Sequence, residues 1–164
     1  MSDVDAVLAR RHDDGGWRCN KFSYGRGPET EYSNPGVTLW VLDVFRFTDH
    51  VNTNPSLDRA VDSLLGHWVV RRPVGPCHFG IGTLFMQVEF PFLRYNLLYY
   101  LYVLSFYDRA KDDRRYLEAL RLLESTLDAR GRVVVEPRTA GSPSCRSARR
   151  GARPKWRRPA TARS

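Results

Sequence analysis

Residues 13–19 read DDGGWRC, from Asp13 to Cys19. The residues before them, Leu8 to His12, have the character of a half-exposed helix end whose partner lies upstream. Two adjacent glycines stop such a helix, because Gly15 or Gly16 reaches φ > 0 without a Cβ clash. A tryptophan directly after the stop folds back as an aromatic lid on a helical hairpin. The stretch therefore reads as punctuation in a helical repeat, and the remaining chain should consist of hairpins.

Four helical patterns meet that expectation, in two pairs. The first helix is expected over about Pro35 to Thr48, PGVTLWVLDVFRFT, apolar around most of its circumference and so buried on several sides. The second runs from about Pro55 to Val70. Its Leu57, Ala60, Val61, Leu64, Leu65, Trp68 and Val69 recur at helical spacing, with Asp58, Arg59 and Asp62 facing away. Asn34–Pro35 and Asn54–Pro55 mark the two starts, the asparagine as cap and the proline at the first helical position. The second pair repeats the contrast. Tyr95 to Tyr107 is apolar nearly all round; DDRRYLEALRLLESTLD then puts Tyr116, Ala119, Leu120, Leu123 and Leu127 on one face, with Asp112 or Asp113 as cap.

The pairs align at an offset of 59 residues: Leu39 with Leu98, Trp40 with Tyr99, Leu42 with Leu101, Phe47 with Phe106, Ala60 with Ala119. A repeated order of buried helix, polar turn and half-exposed helix is the mark of a stacked or closed α/α array. Gly131 stands where the GGW glycines stand at the end of the earlier hairpin, but Val133 replaces the tryptophan. Between the pairs lies Arg71 to Phe92, a long segment with three prolines and four phenylalanines that cannot be one helix. Its phenylalanines either cover the end of the core or form a binding loop.

Charge sits in one place. The chain carries +8, but nine of its 26 Lys and Arg lie in 138–164, which contains no acid. That leaves 17 basic residues against 18 acidic ones in the body, so no basic surface is expected there and nucleic acid is not an expected partner. Residues 138–164 lack apolar periodicity and are expected to be disordered; their Arg, Pro, Ala, Ser and Gly bias marks an aberrant terminus rather than a functional arm. Cys19, Cys77 and Cys145 are sparse and odd in number, which fits a reducing compartment and a cytoplasmic protein. The greasiest run, Tyr95 to Tyr107, is 13 residues, against the roughly 20 that span a bilayer.

Asp14, Gly15, Gly16 and Trp17, together with Thr38–Phe47 and Leu97–Tyr107, each followed by an amphipathic helix, resemble the prenyltransferase and squalene-oxidase repeat family, which includes terpene cyclases and protein prenyltransferase β subunits. The resemblance covers residues 5 to 136. FPFLRYNLLYYLYVL and DRRYLEALRLLES are similar to bacterial proteins of this repeat class. It implies an all-α, α/α toroid in which inner helices form a ring inside outer ones. A full ring holds about six hairpins. This chain supplies two, about 35–70 and 91–128, and the tail of a third, so residues 1–137 are expected to be a partial toroid and the chain a fragment.

The family's chemistry is only thinly represented. Class II cyclases protonate a polyprene with a D-x-D-D motif, and Asp43 is the one acid in the corresponding helix, where a structural role is the simpler reading. Protein prenyltransferases hold zinc with Asp, Cys and His. Cys77 and His78 are adjacent and Cys19 is remote, so neither a metal nor a cofactor is expected. SYGRGPE at 23–29 matches no phosphate-loop fingerprint. Trp40, Phe79, Phe85, Tyr95, Tyr99 and Tyr102 are candidates to line a prenyl-shaped pocket, with core packing as the alternative; tyrosine hydroxyls favour the pocket, because a dry core prefers Phe. Two functions remain in view: binding of an apolar isoprenoid-type ligand, with or without catalysis, and a non-catalytic repeat module whose open edge contacts a protein or a second copy.

Overall fold

The computed structural model describes residues 3–19, 32–74, 79–88, 95–133 and 135. Among these the chain is helical: α1 (Asp3–Ala9), α2 (Pro35–Phe45), α3 (Pro55–Val70), α4 (Thr83–Met86), α5 (Leu97–Leu104), α6 (Asp108–Lys111) and α7 (Arg114–Glu124). Two isolated bridges, Val74 with Phe79 and Leu127 with Val133, are its only β pairings among the described residues.

Side-chain caps set the helix starts. Asn34 accepts from Val37 N at 3.0 Å, Asn54 from Ser56 N at 2.9 Å, Asn96 from Tyr99 N at 2.9 Å, and Asp113 from Arg115 N at 2.8 Å. Each satisfies one of the donors that a helix N-terminus leaves without an intrahelical partner. Asn96 explains why α5 begins at Leu97 and not at Tyr95. At the other ends, Phe47 and Thr48 bond back to Val44 and Phe45, and Phe106 and Tyr107 to Val103 and Leu104. These three-residue bonds tighten the chain into turns, so α2 and α5 are shorter than their apolar runs.

The two hairpins lie side by side: α2 packs on α3, α5 on α7, α2 beside α5, and α3 beside α7. Their correspondence shows in two of the four cap pairs, whereas the N-caps Asn34 and Asn96 are 62 residues apart and the C-caps Arg71 and Ser125 are 54 apart. The N-caps Asn54 and Asp113 are 59 residues apart, and so are the C-caps Arg46 and Ser105. Leu39, Leu42, Leu57, Ala60, Val61, Leu64, Leu65, Trp68, Leu97, Tyr100, Val103, Leu104 and Tyr107 are closed off from water between them. Six of the seven apolar positions expected on α3 are buried, but Val69 is 65% exposed. At 100° per residue Val69 falls about 120° round from Leu57, off the stripe, whereas His67 lies near its edge and is buried. On α7 only Tyr116 and Ala119 are buried, while Leu120 and Leu123 are half-covered; Leu127, expected on the same face, lies beyond the helix end at Glu124 and pairs with Val133.

Tyrosines bolt the layers together. Tyr107 Oη donates to the carbonyl of Leu42 at 2.5 Å, and Tyr100 Oη to that of Leu64 at 3.1 Å. A hydroxyl that finds a backbone carbonyl keeps a dry core free of unsatisfied donors, so these tyrosines need no pocket. Asn52 ties the two hairpin turns, donating to Phe106 O at 3.1 Å and accepting from Asp108 N at 2.8 Å. No helix among the described residues is long and apolar enough to cross a membrane. The change of character after Pro137 falls outside the described residues.

Candidate functional site

The GGW turn is an anchored corner. Gly15 has φ +96° and closes a turn in which its N–H donates to His12 O at 2.9 Å; α1 has already ended at Ala9, so the glycines do not stop that helix as the sequence led us to expect. Gly16 is needed for space: a Cβ there meets Ser33 Oγ and lies 2.5 Å from Thr38 Oγ1. Trp17 is 4% exposed and packs with Phe45, ring centroids 6.2 Å apart. Its indole N–H donates to Val7 O at 2.8 Å and its backbone N–H to Thr38 Oγ1 at 3.0 Å, which joins α1 to the start of α2. The lid expected from the sequence is therefore in place. Asp14 accepts from Ser33 N at 2.7 Å and Gly16 N at 3.2 Å, with His12 Nδ1 3.1 Å away. Burial pushes its carboxyl up, but these bonds and the histidine more than offset it and hold the carboxyl below its ordinary value.

Two cavities flank this corner. One, about 270 Å³, lies between α1, Trp17, Val37 and Val41 and has an arginine-rich wall. The other, about 240 Å³, is lined in part by Asp14, Ser33, Ser63, His67 and Arg72.

The six aromatic candidates separate into a covered group and an exposed pair. Phe85 and Tyr95 are core residues, ring centroids 5.0 Å apart, and Phe79 is half-buried edge-on to Tyr95 at 5.7 Å. Tyr99 is buried. Trp40 and Tyr102 are 43% and 48% exposed. Val44 at 66%, Phe47 at 74% and Phe106 at 36% are exposed as well, on α2 and on the turns that follow α2 and α5. The Arg46 guanidinium lies over the rings of Phe47, Phe106 and Tyr102 at 3.9, 4.8 and 5.0 Å.

Asp43 joins α2 to α5. Its Oδ1 accepts from Arg46 Nε at 2.5 Å and its Oδ2 from Tyr99 Oη at 2.7 Å. Burial, reinforced by the Asp43 carboxylate, raises the Tyr99 hydroxyl far above its ordinary value, so it remains a donor. With both oxygens engaged, Asp43 has the geometry of a structural crosslink.

His67 carries no functional signal in the sequence, yet it is the buried polar hub between α3 and the segment before α5. Nε2 reaches only a carbonyl, Arg72 O at 3.0 Å, so it bears the ring proton, and Nδ1 accepts from Tyr95 Oη at 2.7 Å. Burial pushes the imidazole below its ordinary 6.5, partly offset by the carbonyls of Arg72 and Phe79. Burial, helped by Tyr100, lifts the Tyr95 hydroxyl well above its usual range. Both nitrogens are in use, so the ring serves as a strut. A depressed pKa means that the unfolded chain takes up a proton near pH 6.5 while the folded chain resists it. Stability is therefore full above that pH and declines as pH falls below it. Asp14 and Asp113, the latter held at about 2 chiefly by Arg115 despite partial burial, act only below pH 4 or so. The urea midpoint should fall between about pH 7 and 5, and His67→Gln should flatten that slope. An unchanged slope in the variant would assign it elsewhere.

Among the described residues no group of three His, Cys, Asp or Glu is placed to hold a metal. Cys19 is a free, half-buried thiol. Cys77, His78, Cys145 and the 23–29 segment fall outside the described residues. No family model, no curated protein and no solved structure matches this chain.

Proposed function

We propose that the chain is two successive hairpins of an α/α toroid of the terpene cyclase and prenyltransferase type, and that its inner-helix face binds an apolar, isoprenoid-like ligand without turning it over. One observation carries the reading. α2 and α5 are enclosed by α3, α7 and each other, yet Trp40, Val44, Phe47, Tyr102 and Phe106 leave one aromatic face open to water. Large apolar side chains left exposed along two neighbouring helices support a binding face. In a ring of such hairpins it would face the centre. Binding is favoured over catalysis because Arg46 already occupies the ring faces that would stabilise a carbocation, and Asp43 is engaged through both oxygens.

The test is titration of the full chain with farnesol, followed by native mass spectrometry. Saturable uptake should weaken at least tenfold in the Val44→Glu, Phe47→Glu double variant and persist in Leu84→Glu, whose apolar side chain is exposed elsewhere. Equal uptake in all three proteins would refute the assignment. A second reading, contact with a helix of another protein or a second copy, draws on the same face because it is open along two helices and not enclosed. It predicts concentration-dependent association by sedimentation velocity, abolished by Val44→Glu, with no farnesol uptake.

A further inference from the structure

We infer that the cleft between α3 and the turn leading into α2 is a site for a small uncharged polyol, the size of a single sugar ring. The inference rests on neither the toroid nor the aromatic face, none of whose exposed residues lines the cleft. One wall is a single face of α3, since Ser63, Gly66, His67 and Val70 recur at spacings of three and four residues. Asp14, Ser33 and Pro35 belong to the other wall. The space is about 240 Å³, below the roughly 300–1,000 Å³ of sites for drug-sized ligands, so the occupant is smaller. Gly66 lines the cleft, and a Cβ built there meets nothing within 4 Å. Packing therefore does not require this glycine, although glycine is the least favourable residue inside a helix after proline. Its effect is to keep the α3 wall clear.

The polar groups along the cleft set the chemistry of the ligand. Ser33 is 5% exposed and its Oγ has no hydrogen-bond partner among the described residues, yet it is not sealed from water as the Trp68 indole nitrogen is. Ser63 Oγ is likewise without a partner among them and makes no bond back to its own helix. Asp14 Oδ2 accepts from Ser33 N at 2.7 Å, and a carboxylate oxygen has two acceptor positions, so one is left. The Asp14 side chain is 25% exposed and therefore reachable. Arg72 is exposed, forms no ion pair with a described residue, and adds donors. His67 adds none, because both its nitrogens are in use. A carboxylate and a guanidinium on one cleft oppose an anion at the first and a cation at the second. Hydroxyls suit both, since each donates and accepts. The one position left on Asp14 also fits a hydroxyl better than an ammonium with three donors. Pro35, Leu64 and Val70 supply apolar surface for the carbon face of the ring.

The experiment titrates the full 15N-labelled chain with glucose, galactose and myo-inositol and follows the Gly66 amide resonance. At least one polyol should shift it saturably below about 50 mM, with cyclohexanol, glucuronate and alanine at least tenfold weaker. The Ser33→Ala, Ser63→Ala double variant should weaken that binding tenfold or more and leave the thermal midpoint in place, because neither hydroxyl is bonded within the fold. Gly66→Leu should abolish binding, and Leu84→Glu should leave it unchanged. The absence of a saturable shift with all three polyols overturns the inference. So does an affinity for cyclohexanol, glucuronate or alanine within tenfold of the best polyol's, or full binding in the double serine variant. The wild-type titrations decide the matter even if Gly66→Leu fails to fold.

Discussion

Trp17→Ala should lower the unfolding free energy by about 3–5 kcal/mol, the usual cost of truncating a buried tryptophan. The ring fills a place in the core cluster and stacks on Phe45, and Val4 and Leu8 of α1 pack partly buried against the same cluster. None of α1's own residues is fully buried, and the Trp17 indole is hydrogen-bonded to that helix at Val7. Removing it also leaves Val7 O without the indole donor. For a domain whose total stability is about 5–15 kcal/mol, such a loss brings the chain near its unfolding threshold. Urea denaturation followed by far-UV circular dichroism measures it. Trp17→Phe keeps most of the packing and loses one hydrogen bond, at about 1 kcal/mol. A Trp17→Ala loss no larger than that of Trp17→Phe would mean that the corner is held by something else.

Glycine substitutions should split in sign. Gly16→Ala places a methyl against Ser33 and 2.5 Å from Thr38 Oγ1, and both neighbours are short side chains fixed at the start of α2. No flexible end is available to swing aside, so the corner must open. The expected loss is about 3 kcal/mol, the upper part of the range for overpacking. Gly66 sits inside α3, and a Cβ added there would meet nothing within 4 Å. Gly66→Ala should stabilise the protein by about 0.5–1 kcal/mol, through helix propensity and a less flexible unfolded chain. Thermal midpoints of the two variants should move in opposite directions. If both rise, Gly16 serves only to turn the chain and the close approach to Ser33 and Thr38 is not required.

The features legible in the sequence are those with local causes. An asparagine before a proline sets a helix start by itself, and Asn34 and Asn54 do so here. The stripe on α3 is visible because six of its positions follow one period. Spacing alone also admits Val69, although it lies too far round the helix. His67 stands three residues after Leu64, so its burial is open to inference. Its partners are not, because Tyr95 is 28 residues away. Residue type picks out the aromatic candidates, and type does not say which face a helix turns to its neighbour. That face puts Trp40 and Tyr102 outside and Phe85 and Tyr95 within. Tyrosine at a buried position suggests a cavity from sequence, whereas Tyr100 and Tyr107 spend their hydroxyls on carbonyls of the adjoining hairpin.

Among the described residues the Trp17 corner has no counterpart at the far end of the second hairpin. There Gly131, φ +71°, turns the chain and Val133 pairs with Leu127, but no large ring of the described residues corresponds to Trp17, and α7 buries only Tyr116 and Ala119. α3, with seven buried residues, stands between that end and the Trp17 corner. Of the four long helices α7 therefore has the fewest side chains to wet, and its backbone amides should lose their protection before those of α2, α3 and α5.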